Sequence, residues 1–255
     1  MIVPRIIPCL LLRGSGFVKT RRFKNPVYLG DCFNTVRLFN EKEADELLIL
    51  DIDATPERRS PRFDFLQNLA SECFMPLAYG GGVTTVADMR RLFAIGIEKV
   101  SLNTAAVLQP DLVREAAREF GSQSVIVAID VRRGLWGGNR AVTHGGRQST
   151  TLDPVTAAKR AEELGAGEIL VTSIDRDGEM TGYDLDLLRS VTGAVTVPVI
   201  ACGGAGSAAD LRAALSGGGA AAAAAGSMFV FNGPHRAVLI SYPRPETILA
   251  GISAS

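Results

Sequence analysis

Eight short apolar runs punctuate the chain, and helical patterns fill most of the gaps between them. The runs are Ile6–Leu12, Leu47–Ile52, Met75–Ala78, Lys99–Leu102, Ser124–Asp130, Glu168–Ile174, Val197–Ala201 and Ala221–Ala225. The helical patterns are Asn34–Ala44, Phe63–Cys73, Val86–Ala94, Pro110–Phe120, Asp153–Leu164, Asp184–Val191 and Ala208–Leu215. Strands rich in Val, Ile and Leu that alternate with helices read as a parallel sheet covered by helices. Eight of them favour closure into a (β/α)8 barrel over an open doubly wound sheet. The length of 255 residues suits one such barrel, which takes roughly 250. We expect the barrel over residues 1–242 and a tail over 243–255.

Local signals agree. Asp153-Pro154 places a capping side chain before a proline at the first helical position. Gly121 and Gly165 follow helical patterns, where C-terminal glycines belong. The least typical strand is the eighth, because Gly217–Gly226 is almost all Gly and Ala and alanine is a poor strand former.

The chain also repeats itself. Asp45–Asp53 resembles Gly167–Asp175, and Ala78–Gly82 resembles Ala201–Ala205. Asn103-Thr104 in one half matches Gly226-Ser227 in the other, at offsets of 122 or 123 residues. The barrel therefore reads as two four-unit halves. Each glycine turn stands where a strand passes to a helix. There the backbone N–H groups can approach an anion. Gly82, Asn103 and Thr104 in one half, and Gly204, Gly226 and Ser227 in the other, predict two phosphate sites on opposite sides of the mouth. The ligand is then elongated, with an anion at each end.

Asp130 ends the fifth strand, where a carboxylate points into the mouth and serves as a general acid or base. The matching position of the other half is Leu11, which carries no carboxylate. A two-carboxylate mechanism is therefore incomplete. At the opposite end of the strands stand Arg5, Glu46, Lys99 and Glu168. If they face inward, two cations and two anions meet across the barrel floor, since buried charges must pair.

Composition narrows the function classes. Lys plus Arg and Asp plus Glu are 27 each, so net charge points to neither nucleic acid nor a membrane surface. Cys9, Cys32, Cys73 and Cys202 are scattered and far from His144 and His235, which speaks for neither a disulfide framework nor a metal site. No cofactor is called for. Cys9 reads as core rather than nucleophile, and Trp136 and His144 as loop residues. Ile6–Leu12 is interrupted by Pro8 and lacks a cleavage site, so it reads as a strand rather than a signal peptide. A cytoplasmic location is the expectation.

These residues resemble the HisF family, the cyclase subunit of imidazole glycerol phosphate synthase, from about Arg5 to Phe231. The similarity rests on Arg5–Leu10, Lys19, Tyr79–Gly82, Asn103–Ala106, Phe120–Gln123, Thr143–Gly146, Gly165–Ile169, Asp175–Gly178 and Gly203–Gly206. It implies a HisH-like glutaminase docked on the floor as a heterodimer, and ammonia passing through the barrel to a bisphosphate at the top. By position it makes Arg5, Glu46, Lys99 and Glu168 the gate to that passage. Gly82, Asn103, Thr104, Asp177, Gly178, Gly204 and Ser227 become phosphate-site residues, and Asp130 one of two catalytic aspartates. Leu11 departs from the other, Ala221 stands where Asp is usual, and a Pro-containing tail takes the place of the last helix. Leu50–Thr55, Glu72–Pro76 and His235–Pro243 resemble the divergent WbuZ-type branch. That branch implies ammonia supply to an N-acetyl-sugar amidotransferase of surface-polysaccharide (lipopolysaccharide) synthesis. Three functions remain open: this ammonia-conducting subunit, a genuine cyclase of histidine biosynthesis, and a barrel that only binds phosphates or a partner. Leu11 weighs against the second and the floor charges against the third.

Overall fold

The computed structural model describes residues 4–134, 137–243 and 248. Eight parallel strands close on themselves: β1 (Arg5–Arg13), β2 (Leu47–Asp51), β3 (Leu77–Gly80), β4 (Lys99–Leu102), β5 (Val125–Arg133), β6 (Glu168–Ser173), β7 (Val199–Cys202) and β8 (Ala222–Ala225). Each pairs with its sequence neighbours, and β8 pairs with β1, which completes a (β/α)8 barrel. Pro8 cannot donate to a ladder. It sits where β1 changes partner, from β8 over Arg5–Pro8 to β2 over Cys9–Leu12.

Two apolar layers hold the fold together. The inner one fills the barrel with Ile7, Cys9, Leu48, Ala78, Ile126, Leu170, Ile200, Cys202, Ala222 and Ala224. The outer one packs the strands against the helices α1 (Cys32–Glu41), α2 (Phe63–Ser71), α3 (Val86–Ala94), α4 (Pro110–Phe120), α5 (Pro154–Glu163), α6 (Leu185–Thr192) and α7 (Ala208–Arg212). Helix starts are written locally. Asp153 accepts from the Val155 and Thr156 N–H groups, and Pro154 follows it at the first helical position. Thr85 with Asp88, and Ser207 with Asp210, form capping boxes one repeat apart.

The eighth strand exists despite its composition. All four alanines of β8 are buried between β7 and β1, so tertiary packing overrides propensity. Two predicted strands begin later than the apolar pattern suggested, because a proline precedes each. Pro76 and Pro198 lie outside β3 and β7, and their carbonyls accept from Leu47 and Ile169. Two hairpins were not expected. Gly16–Arg21 pairs with Lys24–Asp31 between β1 and α1, and β5 turns back into Asn139–Thr143. After β8 come a one-turn helix, Ser227–Val230, and a small hairpin, Phe231–Asn232 with Ala237–Val238. Tyr242 then pins the chain to the barrel, donating to the Ile6 carbonyl at 2.9 Å and accepting from the Asp45 N–H at 3.2 Å. Trp136, and the tail beyond Pro243 apart from Ile248, lie outside the described residues. Among the described residues no helix is long and apolar enough to cross a membrane.

Candidate functional site at the barrel mouth

The loops that follow the strands enclose a cavity of about 1040 Å³. Its wall contains Asp130 and Leu11, both glycine turns, and every residue expected at the two phosphate positions: Gly82, Asn103, Thr104, Asp177, Gly178, Gly204, Gly226 and Ser227. Ligand sites in these barrels lie at this end of the strands.

Both halves place their glycine pair at positive φ. Gly81 and Gly82 have φ +121° and +71°, and Gly203 and Gly204 have +85° and +120°. A β-carbon at Gly81 would lie 2.4 Å from the Asp51 carbonyl, and one at Gly203 would lie 2.6 Å from that of Ser173. The turns thus require glycine for conformation and for close approach. Asn103 (φ −110°, ψ −78°) and Gly226 (φ −112°, ψ −70°) lead into one-turn helices that begin at Thr104 and Ser227. Among the described residues, the N–H groups of Gly82, Gly178 and Gly204 have no acceptor within the protein. They are available to an anion.

Not every expected phosphate residue offers a donor. The Asn103 side-chain amide is spent on the Ala128 carbonyl at 3.0 Å and the Val142 carbonyl at 3.3 Å, so it ties β4 to β5. Asp177 takes Lys19 Nζ at 2.7 Å and Thr20 Oγ1 at 3.2 Å on its carboxylate, and its own N–H serves the Ser173 carbonyl. Its part in the site is to hold Lys19, which is buried at the cavity wall, and to fix the loop that presents Gly178.

Asp130 faces into the cavity from β5, in register with Thr172 of β6. Burial pushes its carboxyl up to about 7, with a further upward push from Asp177, while a hydrogen bond from Thr172 and the charge of Arg132 pull it down. A carboxyl poised near neutrality suits proton exchange. Across the same cavity Leu11 presents only carbon. Cys9 lies deeper, and its thiol is pushed well up by a hydrogen bond with Cys202 and by burial, which makes it inert.

The four charges expected at the floor do meet. Arg5 bonds Glu46 through one guanidinium nitrogen and Glu168 through another. Lys99 Nζ lies 3.0 Å from a carboxylate oxygen of each. The result is a closed ring of two cations and two anions under the inner apolar layer, with the Glu46 carboxylate almost wholly buried. Each carboxylate is paired twice, which offsets its desolvation.

Comparison with known proteins fits this architecture. Residues 5–234 match the family described as "Histidine biosynthesis protein". The chain is 50% identical over 243 residues to "Putative imidazole glycerol phosphate synthase subunit hisF2" of Pseudomonas aeruginosa, covering 95% of this chain and 97% of that one. It is 45% identical over 232 residues to "Imidazole glycerol phosphate synthase subunit HisF" of Alkaliphilus metalliredigens, covering 91% and 92%. This chain belongs to the HisF family.

Within this HisF-family barrel, several residues of the mouth escaped sequence reasoning. Arg59 chelates Asp51 with two nitrogens at 2.8 and 2.9 Å, and both residues line the cavity beside the first glycine turn. Arg236 reaches the Gly178 carbonyl and the Ser227 hydroxyl from the C-terminal hairpin. Phe23, Lys24 and Asn25 of the first hairpin close one side of the mouth. No motif could have found these, because each pairing spans many residues of sequence. A cation in a loop carries no mark of the carboxylate or carbonyl it will meet.

Proposed function

We propose that this chain is the synthase-side subunit of a glutamine amidotransferase. Ammonia released by a HisH-like glutaminase on the barrel floor passes the Arg5–Glu46–Lys99–Glu168 ring. It then crosses the barrel to a phosphate-bearing acceptor in the mouth. The end use is amidation of an acetamido sugar in surface-polysaccharide synthesis, together with an N-acetyl-sugar amidotransferase. The observation that carries this reading is Leu11. The floor ring, the glycine loops and Asp130 stand together in one barrel, yet position 11, opposite Asp130, carries no proton-exchanging group. Conduction needs the ring and a path, not a second carboxylate. The inner layer includes the small residues Ala78, Ala128, Ala222 and Ala224, across which a molecule the size of ammonia has the least side chain to displace. The buried Ser101 hydroxyl, without a protein partner among the described residues, offers a polar stop on the same strand as Lys99.

The test is co-expression with a HisH-like glutaminase from the same organism, followed by size-exclusion chromatography and a glutamate-release assay. Joint elution and faster glutamine hydrolysis are expected. Separate elution with unchanged hydrolysis would refute the proposal. The alternative reading, a genuine cyclase in histidine biosynthesis, is favoured by the near-neutral Asp130. It predicts turnover of the family's bisphosphate substrate at a rate typical of an authentic cyclase.

A further inference from the structure

The hydroxyls of the two anion sites are held in the same sense by different partners. Thr104 Oγ1 accepts from the His144 backbone N–H at 2.9 Å and donates its own proton to Asn103 Oδ1 at 3.3 Å. Ser227 Oγ accepts from Arg236 Nη2 at 3.4 Å, and the same nitrogen donates to the Gly178 carbonyl at 3.1 Å. A guanidinium can only donate. The Ser227 hydroxyl proton is therefore free to be donated in turn.

Arg236 touches both loops of the second site, from the small hairpin that follows the one-turn helix after β8. Its guanidinium lies over the Phe231 ring at 4.6 Å, which fixes its plane. Its backbone is left-handed at φ +52°, a region a non-glycine residue rarely adopts. Every hydrogen-bond acceptor it has among the described residues is neutral. A half-buried cation without a counter-charge is costly, and an anion arriving beside it relieves that cost. The first site differs. The cation beside its glycine turn, Arg59, is already committed to the Asp51 carboxylate by two bonds.

We propose that Arg236 is an anion-binding residue of the second half: it holds the Ser227 hydroxyl as a donor and supplies positive charge to a phosphate monoester seated at Gly178, Gly204 and Ser227. The two ends of the cavity are then unequal. The second half binds phosphate more tightly than the first, and an elongated ligand has one orientation. This inference rests on the double phosphate site in the mouth, and the experiment separates the two ideas.

Inorganic phosphate is titrated into the full chain, with the amide signals of Gly82 and Gly204 followed separately by NMR. Wild type, Arg236→Gln and Arg236→Lys are compared. Loss of a charge-assisted contact should weaken phosphate at Gly204 by at least about tenfold in Arg236→Gln. Affinity at Gly82 should stay within about twofold, and Arg236→Lys should regain most of the loss. A structural role alone would move both sites together and would not respond to restored charge. If Arg236→Gln loses both sites through misfolding, the lysine variant decides. Near-native binding at Gly204 supports the proposal, and binding confined to Gly82 overturns it. Equal affinity of wild type and Arg236→Gln at Gly204, with both sites occupied, overturns the role of Arg236 alone. Wild type without phosphate at either turn overturns the phosphate sites and this inference together.

Discussion

Replacing Leu11 by aspartate should restore proton exchange at the position opposite Asp130. Leu11 on β1 and Asp130 on β5 lie four strands apart in an eight-stranded ring, so they face each other across the cavity. A positioned acid or base contributes ~10² to 10⁴ in rate, or roughly 3–5 kcal/mol of barrier. The new carboxylate also acts on Asp130. Two charges on the order of 10 Å apart at an effective dielectric of about 20 interact by roughly 1.7 kcal/mol, which raises the Asp130 carboxyl by about one pH unit. The native carboxyl already sits at about 7, chiefly through burial. Where Asp130 acts as a base, the native rate should therefore rise through neutrality and level off above it. In Leu11→Asp this limb moves upward by up to about one unit, less if water in the cavity screens the pair. The assay is steady-state turnover of the family's bisphosphate substrate with ammonium salts, from about pH 5 to about pH 9, corrected for free ammonia at each pH. Native protein, Leu11→Asp and Leu11→Asp with Asp130→Asn are compared. We expect slow native turnover, a gain of at least about tenfold in the single variant, and loss of that gain in the double variant. Native turnover at the rate of an authentic cyclase would refute the reasoning. So would a Leu11→Asp variant that binds substrate with rate and pH limb unchanged.

Three further outcomes follow from the geometry. The Asp130 carboxyl titrates near 7 folded against 3.8 in the free side chain, so as pH climbs the unfolded chain ionises first and stability is lost between those values. Asp130→Asn removes that loss, and its melting temperature relative to native should rise between about pH 4 and about pH 7; a pH-independent difference would contradict the assigned burial. Gly204→Ala places a carbon 2.2 Å from the Gly182 carbonyl at φ +120°, whereas Gly14→Ala meets nothing within 4 Å at φ +55°. Urea unfolding should show a loss above about 2 kcal/mol for the first and about 1 kcal/mol for the second. Arg5→Met leaves two floor carboxylates sharing Lys99 and should cost about 2–3 kcal/mol, discounted from the fully buried case because Arg5 is partly exposed. Equal stability of this variant and the native protein in urea would mean that the ring contributes nothing.

The sequence by itself determined the barrel. Strand–helix alternation is a local signal, since a period of two or of 3.6 residues is written in neighbouring side chains, and eight strands leave few ways to close. It determined the repeat, because the glycine turns require φ values that few other residues accept. It also placed Arg5, Glu46, Lys99 and Glu168 at or just before strand starts, where alternation sets which neighbours share their face, and the closed barrel turned that face inward. What it could not supply were partners. The hairpin after β1 turns at Arg22 and Phe23, at φ +50° and +61°, without the Asn or Gly that usually marks such a turn. That turn is held instead by the Arg22 N–H on the Asp177 carbonyl at 2.9 Å, far along the chain. Four alanines become β8 because pairing with β7 on one side and β1 on the other, and burial of all four, outweigh their weak strand preference. The assignment of Lys19 to Asp177, of Arg59 to Asp51 and of Arg236 to the Ser227 loop likewise waited for the fold. A charged side chain is satisfied by any suitable group within reach. Reach is a property of the closed barrel, not of the order of residues along it.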